Sequence, residues 1–335
     1  NRPSVDIQWG NHDIAWMGAA CGSLACICSI VRTCVRYDTL DILESAYGIS
    51  LRKLALFADA TYRHDDAVAP MEKAIDVILF KVEGQTFRRH PDWRLSSHRL
   101  LLDKMDLARG VVNVNETEWP LSTTDFPTVD PKDPFALSPE EEELLHGIAQ
   151  AFGESGRLHR HISFFYERGS LYLVRDGNLL FHGCIPMAKD GSFSRVMCNG
   201  ELLSGRAYMD FCDHVARRAW SQGDQDALDW MYYLWCGAHS PLSGRVVKTF
   251  ERAFVPDKAA WEEPRNPYYE LSNDERVCER ILAEFGLAGP TCRIINGHTP
   301  VKASSGESPV RANGRKLVID GGFCKGYHKK TGIAG

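Results

Sequence analysis

The spacing of hydrophobic and polar positions changes period several times along the chain, and each change marks an element. Residues 4–9 alternate as a strand does, and Gly10-Asn11 breaks the alternation. A helical period then runs over residues 14–47. It continues over residues 50–60 and 70–88, where Met71, Ile75, Ile78 and Leu79 form an apolar face. Residues 111–114 read as a short strand, and residues 115–137, rich in Thr, Pro and Asp, as a long loop. Ser138-Pro139-Glu140-Glu141 is a helix start with acidic residues in its first turn. Residues 171–174 and 179–181 flank an Asp176-Gly177 turn and predict a hairpin. Helical period returns over residues 206–220, 225–235 and 274–285. The apolar runs 293–295 and 316–319 read as short buried strands, each leading into glycine. No internal repeat or low-complexity tract is present. The mixture predicts an α/β sandwich carrying large helical additions.

Composition changes this picture little. With 335 residues, 44% hydrophobic and 25% charged, the chain has the makeup of a globular protein large enough for more than one lobe. A net charge of -5, with no block of Lys and Arg, argues against a nucleic-acid or anionic-membrane partner. It leaves a phosphorylated substrate open, because metal ions can supply local positive charge. The eleven cysteines are odd in number and include no C-x-x-C pair. Cys21, Cys28, Cys212 and Cys236 sit in apolar company, so reduced, buried cysteines and a cytoplasmic location are expected. Residues 14–31 carry no charge and reach the length of a membrane span. Gly18, Gly22, Ser23 and Ser29 make that run only mildly apolar, so a small-residue helix packed inside the protein is expected instead. No signal-peptide pattern is visible.

Three segments share a chemically suggestive pattern, in which an apolar strand ends and a loop with histidine beside glycine begins. They are Gly10-Asn11-His12-Asp13, Phe181-His182-Gly183-Cys184 and Asn296-Gly297-His298-Thr299. Ligands in open α/β sheets gather at loops after strand ends, and glycine there lets backbone approach a ligand closely. Histidines from distant parts of the chain can therefore converge on one site. A single histidine beside glycine is more often a turn or a satisfied interior residue. Gly-Asn-His-Asp after a strand is more specific, because it aligns an amide oxygen, an imidazole and a carboxylate.

In this order the segments resemble the last three motifs of the calcineurin-like metallophosphoesterases: Gly-Asn-His-Asp or Glu, a lone His, and Gly-His. Longer strings resemble one family within that superfamily. "DIQWGNHDIAWMGAA", "RHISFFYERGSLYLVRDGNLLFHGCIPM", "WMYYLWCGAHSPLSG" and "INGHTPVKASSGESPVRANGRKLVIDGGFCKGYHKKTGIAG" are similar to the class III fructose-1,6-bisphosphatases, the type found mainly in Firmicutes. The likeness runs along essentially the whole chain. It implies one interrupted metallophosphoesterase domain over residues 1–335, a β-sandwich flanked by helices, with helical insertions at about 38–110 and 200–285. It implies hydrolysis of fructose 1,6-bisphosphate to fructose 6-phosphate, a gluconeogenic step, by a hydroxide held between two divalent ions roughly 3.5–4 Å apart. By the same resemblance Asn11, His182 and His298 ligate one ion of a manganese pair, and His12 protonates the departing sugar alkoxide. The donor types alone suit several metals.

Asp13 is expected to support its loop, with Gly10 and Gly297 shaping theirs. Arg160, Arg168, Lys302 and Arg311 are candidates for holding the sugar or its distal phosphate, with exposed surface charge the competing reading for each. Asp320 ends a strand near the expected site and is kept outside the ligand set. The superfamily's Asp-x-His and Gly-Asp-x-x-Asp motifs lie before Gly-Asn-His-Asp, and only nine residues precede Gly10 here. Gly223-Asp224-Gln225-Asp226 resembles the second motif but stands in the wrong order between helical runs. The resemblance thus implies an internal piece of a longer chain that lacks N-terminal and C-terminal parts. The piece is expected to be inactive alone, with sheet edges open to association, as a homo-oligomer or with a missing N-terminal piece. The competing readings are another calcineurin-like phosphoesterase, such as a protein phosphatase or dinucleoside tetraphosphate hydrolase, and a non-catalytic half.

Overall fold

The computed structural model describes residues 5–93, 99–302 and 306–320. Strand β1 (Ile7–Gln8) leads into helices α1 (Asn11–Ala20), α2 (Leu24–Arg36), α3 (Arg52–Thr61) and α4 (Pro70–Arg89). A small sheet follows, made of β2 (Met105–Asp106), β3 (Val111–Val114) and β4 (Thr117–Pro120), and then α5 (Pro139–Glu154) and α6 (Gly156–Arg168). Strands β5 (Gly169–Ser170), β6 (Tyr172–Arg175), β7 (Asn178–Phe181), β8 (Val196–Cys198) and β9 (Glu201–Leu203) precede α7 (Gly205–Gln222) and α8 (Gln225–Cys236). Short helices α9 (Thr249–Phe254) and α10 (Tyr268–Leu271), then α11 (Glu275–Glu284), lead to β10 (Arg293–Asn296), β11 (Val310–Arg311) and β12 (Lys316–Val318). The architecture is mixed α/β, with helices around several small sheets.

The largest sheet has the order β11-β12-β10-β7-β6. Its three central strands β12, β10 and β7 are parallel, and the edges β6 and β11 run antiparallel. Ile294, Leu179 and Val318 are buried on it, as expected for strands covered by helices. Parallel alignment has a direct consequence for function. The three strands deliver their following loops, which begin at His182, Gly297 and Ile319, to the same end of the sheet.

The helical period over residues 14–47 is not one helix. Gly22 adopts φ +96, a left-handed conformation that stops α1, and α2 leaves at 120° to it. Asp38 (φ 52) then ends α2, and a π-helical turn over Ile42–Ala46 follows. Hydrophobic period survives both breaks because each piece packs one face on the same core. Among the described residues no helix is long and apolar enough to cross a membrane, and most of the bent α1–α2 pair is buried. Residues 115–137 are not wholly loop either. Val114 pairs with Thr117 around Asn115 and Glu116, both at positive φ, so Thr117–Pro120 becomes a strand. Glutamate is an unusual second residue for such a tight turn, which hid the hairpin. Asn199-Gly200 makes the β8–β9 turn with the expected residues, a signal the periodicity reading passed over. The Asp176-Gly177 hairpin forms with the predicted turn, in register Arg175 to Asn178.

Helix α4 departs most from expectation. Its pattern suggested one apolar face, yet Lys73, Asp76, Lys81 and Glu83 are buried too. Each finds an opposite charge: Lys73 with Asp66 and Asp125 at 2.6 and 2.9 Å, Asp76 with Arg32, Lys81 with Glu141 at 2.6 Å, Glu83 with Arg99 at 2.9 Å. Burial pushes the Asp76 carboxyl up to about 6, the guanidinium of Arg32 opposing it. Charged residues along a helix normally mark a solvated face, and here tertiary partners make burial possible. Gly223-Asp224-Gln225-Asp226 is likewise structural. Gly223 ends α7 at φ 64, Asp224 caps α8 by accepting from the Ala227 N–H at 3.1 Å, and Arg218 holds both carboxylates.

Candidate functional site

Register decides which side chains meet. Phe181 and Asn296 are partners across β7 and β10, so the next residues leave the sheet side by side. The Gly297 N–H donates to the His182 carbonyl at 2.9 Å and extends the ladder by one rung. His298 then occupies φ +65 in a tight turn closed by the Thr299 N–H on the Gly297 carbonyl at 2.8 Å. A histidine at that φ is strained by roughly 1–3 kcal/mol, a cost typical of functional loops. The turn aims its ring at His182: Nδ1 of His298 lies 3.2 Å from Nε2 of His182.

The third element arrives from the other end of the chain. Strand β1 pairs in parallel with β5, and α1 begins directly after Gly10, with Asn11 in its first turn. The Asn11 Oδ1 stands 3.2 Å from the same His182 Nε2. Gly10 leaves little space beside this ring: a Cβ there would sit 3.1 Å from His182 Cε1, and the ring would have to give by a few tenths of an ångström. Asp13 accepts from the Gly10 N–H at 2.9 Å and locks the entry to α1, and burial raises its pKa. Gly183, just past His182, is pressed against the carbonyls of Pro241 and Leu242.

Burial lowers the pKa of both central imidazoles, His182 to about 4 and His298 to about 3. For His182 the carboxylate of Asp320, two residues past β12, opposes the shift, and for His298 the neighbouring His182 adds to it. Both rings are therefore neutral near pH 7, each with one ring nitrogen that carries a lone pair able to accept a cation or a proton. His298 Nε2 is buried without a hydrogen-bond partner, as is Oδ1 of Asn296. His12 flanks the cluster with its ring tilted against Trp235, centroids 5.1 Å apart. One edge of His12 stays open to solvent, yet desolvation lowers its pKa while the Asp13 carboxylate pulls it back up.

The structure thus brings Asn11, His182 and His298 together, with His12, Asp13 and Asp320 around them. The other predicted residues lie as follows. Arg160 and Arg168 are exposed on α6, Lys302 is exposed after the His298 turn, and the guanidinium of Arg311 pairs with Glu307 at 3.5 Å. Residues beyond Asp320 in the last quoted string, and residues 303–305, lie outside the described residues. Sequence reasoning passed over Arg245 and Arg265, whose charges both reach His298. They stand in irregular segments with no motif around them.

These features define a class: an α/β protein whose parallel strand ends gather two neutral histidines and an asparagine amide, a donor set suited to handling a charged ligand. Comparison with known proteins narrows it. Residues 1–335 match the family model described as Firmicute fructose-1,6-bisphosphatase, and the chain belongs to that family. The fructose-1,6-bisphosphatase class 3 of Listeria innocua serovar 6a is 45% identical over 361 aligned residues, covering 100% of this chain and 55% of that protein. That of Clostridium novyi is 44% identical over 357, covering 99% and 54%. The chain therefore spans about half the length of the curated relatives it matches. No solved structure matches it.

Proposed function

We propose that this chain supplies part of the active site of a metal-dependent phosphatase acting on fructose 1,6-bisphosphate, and that Asn11, His182 and His298 hold a divalent cation. The observation that carries this reading is the convergence of Asn11 Oδ1 and His298 Nδ1 on His182 Nε2, each at 3.2 Å, from three segments far apart in sequence. Two neutral imidazoles and an amide oxygen fit an ion such as Mn²⁺. Without an ion, one ring nitrogen must serve two neighbours and His298 Nε2 has none. A bound ion would supply positive charge against the oxygens of a phosphoryl group.

The chain's own residues do the rest. Gly10 and Gly183 keep the His182 ring and its loop in place, and the γ-turn at Gly297 orients His298. His12, adjacent to Asn11 in the first turn of α1, is assigned the proton donated to the leaving sugar oxygen. The Asp13 carboxylate beside it favours the protonated ring. We read the large sheet and the β1–β5 pair as parts of a calcineurin-like sandwich. In this reading residues 1–335 form one interrupted domain, with insertions at about 38–110 and 200–285 that correspond to α3–α4 and α7–α11. Ten free cysteines, nine of them buried, among the described residues support a reducing, cytoplasmic setting.

The test uses the full-length protein and measures Mn²⁺-dependent phosphate release from fructose 1,6-bisphosphate, with a phosphoprotein and diadenosine tetraphosphate as rival substrates. His182→Ala and Asn11→Ala should each weaken Mn²⁺ binding, read by calorimetry, about 10- to 100-fold. Preference for either rival substrate, or Mn²⁺ affinity untouched by both substitutions, would overturn the reading.

A further inference from the structure

Beside the histidine cluster two arginines face each other, and among the described residues neither pairs with a carboxylate. Arg245 and Arg265 are partners in an antiparallel bridge, flanked by the Asn266 N–H on the Gly244 carbonyl at 2.7 Å and the Val246 N–H on the Pro264 carbonyl at 3.1 Å. Directly opposed residues have their Cβ atoms about 4.5–5.5 Å apart, and like charges so placed repel. Among the described residues neither guanidinium makes an ion pair, and Nε of Arg245 is buried with no acceptor. Of the groups that act favourably on Arg245, Tyr269 is a phenol, and the carboxylate of Glu263 is already taken by Arg252 at 3.0 Å and by the Lys248 N–H at 3.1 Å. Burial, with repulsion from Arg265 added to it, lowers the pKa of Arg245. A fold that holds two cations together at a cost has a use for them when an anion completes the set.

The location is fixed by packing. The Pro241 carbonyl accepts from the Cys184 N–H at 2.7 Å, two residues past His182. Asn266 Oδ1 accepts from the Met187 N–H at 2.9 Å. Tyr269 donates to the Ser243 carbonyl at 2.6 Å, and its ring lies 6.2 Å from that of His298. Both ends of the arginine bridge are therefore tied to the His182 loop and backed by the ring that touches His298. The charges of both act on His298, so the pair stands at that flank of the cluster.

We propose that Arg245 and Arg265 form a paired-guanidinium clamp for the substrate's second phosphate, the one that is not cleaved. This rests on the sugar-bisphosphate reading above. Two planar forks, always charged, match a phosphate dianion through parallel N–H···O bonds, which a lysine pair would not reproduce. The clamp would select a bisphosphate over a monoester with nothing at its far end, and hold the scissile end at the histidines.

The experiment compares fructose 1,6-bisphosphate with p-nitrophenyl phosphate, which carries a single phosphate, as substrates of the full-length enzyme with Mn²⁺. Arg265 is exposed, so Arg265→Gln should leave the fold intact by circular dichroism. Its KM for the bisphosphate should rise roughly 10- to 100-fold, with kcat much less affected. The ratio of kcat/KM for the two substrates should fall by the same factor, and so should calorimetric affinity for fructose 6-phosphate. Arg245→Gln should do likewise, and Arg265→Lys should recover only part of the loss. Equal losses on both substrates would mean that the arginines serve the reacting phosphoryl group, and no change would mean that they bind nothing; either overturns the clamp. A wild-type enzyme active on p-nitrophenyl phosphate but not on the bisphosphate would instead defeat the sugar-bisphosphate reading, and the clamp with it.

Discussion

Gly183→Ala tests whether the site is positioned by the packing of the His182 loop. The backbone there does not need glycine's conformational freedom, so alanine meets only a steric obstacle. That obstacle is severe, because a Cβ would lie 2.4 Å from the Leu242 carbonyl oxygen and 2.5 Å from that of Pro241. Both are backbone atoms, and no side chain can rotate away. Real Cβ atoms do not approach closer than 3.0 Å, so the two segments must part by about 0.6 Å. The 2.7 Å bond from the Cys184 N–H to Pro241 stretches with them. Overpacking of this kind costs about 1–3 kcal/mol and the weakened hydrogen bond up to about 1 more, a Tm loss of several degrees. His182 is the adjacent residue and the proposed metal ligand; a misplacement of about 1 Å costs roughly 10²-fold in rate, so a shift of about 0.6 Å should lower turnover roughly 10-fold. Differential scanning fluorimetry and steady-state phosphate release on the full-length enzyme read the two effects separately. A variant with unchanged Tm and turnover would show that the 241–242 segment yields freely, and the argument for a loop held by packing would be wrong.

Gly147→Ala is the opposite case: an added Cβ within α5 meets nothing within 4 Å, so helix stability should rise by about 0.5–1 kcal/mol in urea unfolding. Glu83→Ala removes the carboxylate that Arg99 reaches at 2.9 Å and Tyr232 at 2.9 Å, leaving a buried guanidinium uncompensated. The expected loss is about 3–5 kcal/mol, and a loss under 1 kcal/mol would show that the charge escapes to water. For pH, the folded-state pKa values of His182 and His298, about 4 and about 3, lie below the ordinary histidine value of 6.5. Between those values the unfolded chain binds more protons. Stability of the metal-free chain is therefore full above about pH 6.5 and falls as pH drops toward 4 and below. The double variant His182→Asn/His298→Asn should flatten that slope, and an unaltered slope would assign it to other groups.

How much of this was legible beforehand varied with how local each signal is. The strand ends at His182 and Gly297-His298 were readable because apolar runs stop abruptly at glycine-flanked polar residues, and the Asp176-Gly177 turn because only certain residues tolerate its dihedrals. The break at Gly22 was harder, since Ile14, Met17, Ile27 and Val31 keep their spacing across it. The Thr117–Pro120 strand was missed because its turn holds glutamate where glycine is usual. Burial of α4 was invisible, because Lys73, Asp76, Lys81 and Glu83 acquire their partners from residues 32 to 141.

By itself, then, the sequence determined the chemistry available and where along the chain it lies: histidine, asparagine and glycine at the ends of apolar runs, within strings that mark the family. Those features depend on neighbours in the chain, whose spacing sets dihedral preference and side-chain alternation. Only the tertiary structure decided which of them meet. Parallel register puts Phe181 beside Asn296 and so His182 beside His298. Parallel pairing of β1 with β5 brings Asn11 to the same point. The packing of residues 240–245 on Gly183 carries Arg245 and Arg265 to the flank of the cluster. Like charges facing each other leave no periodic trace along a chain, because their cost is set by distance in space.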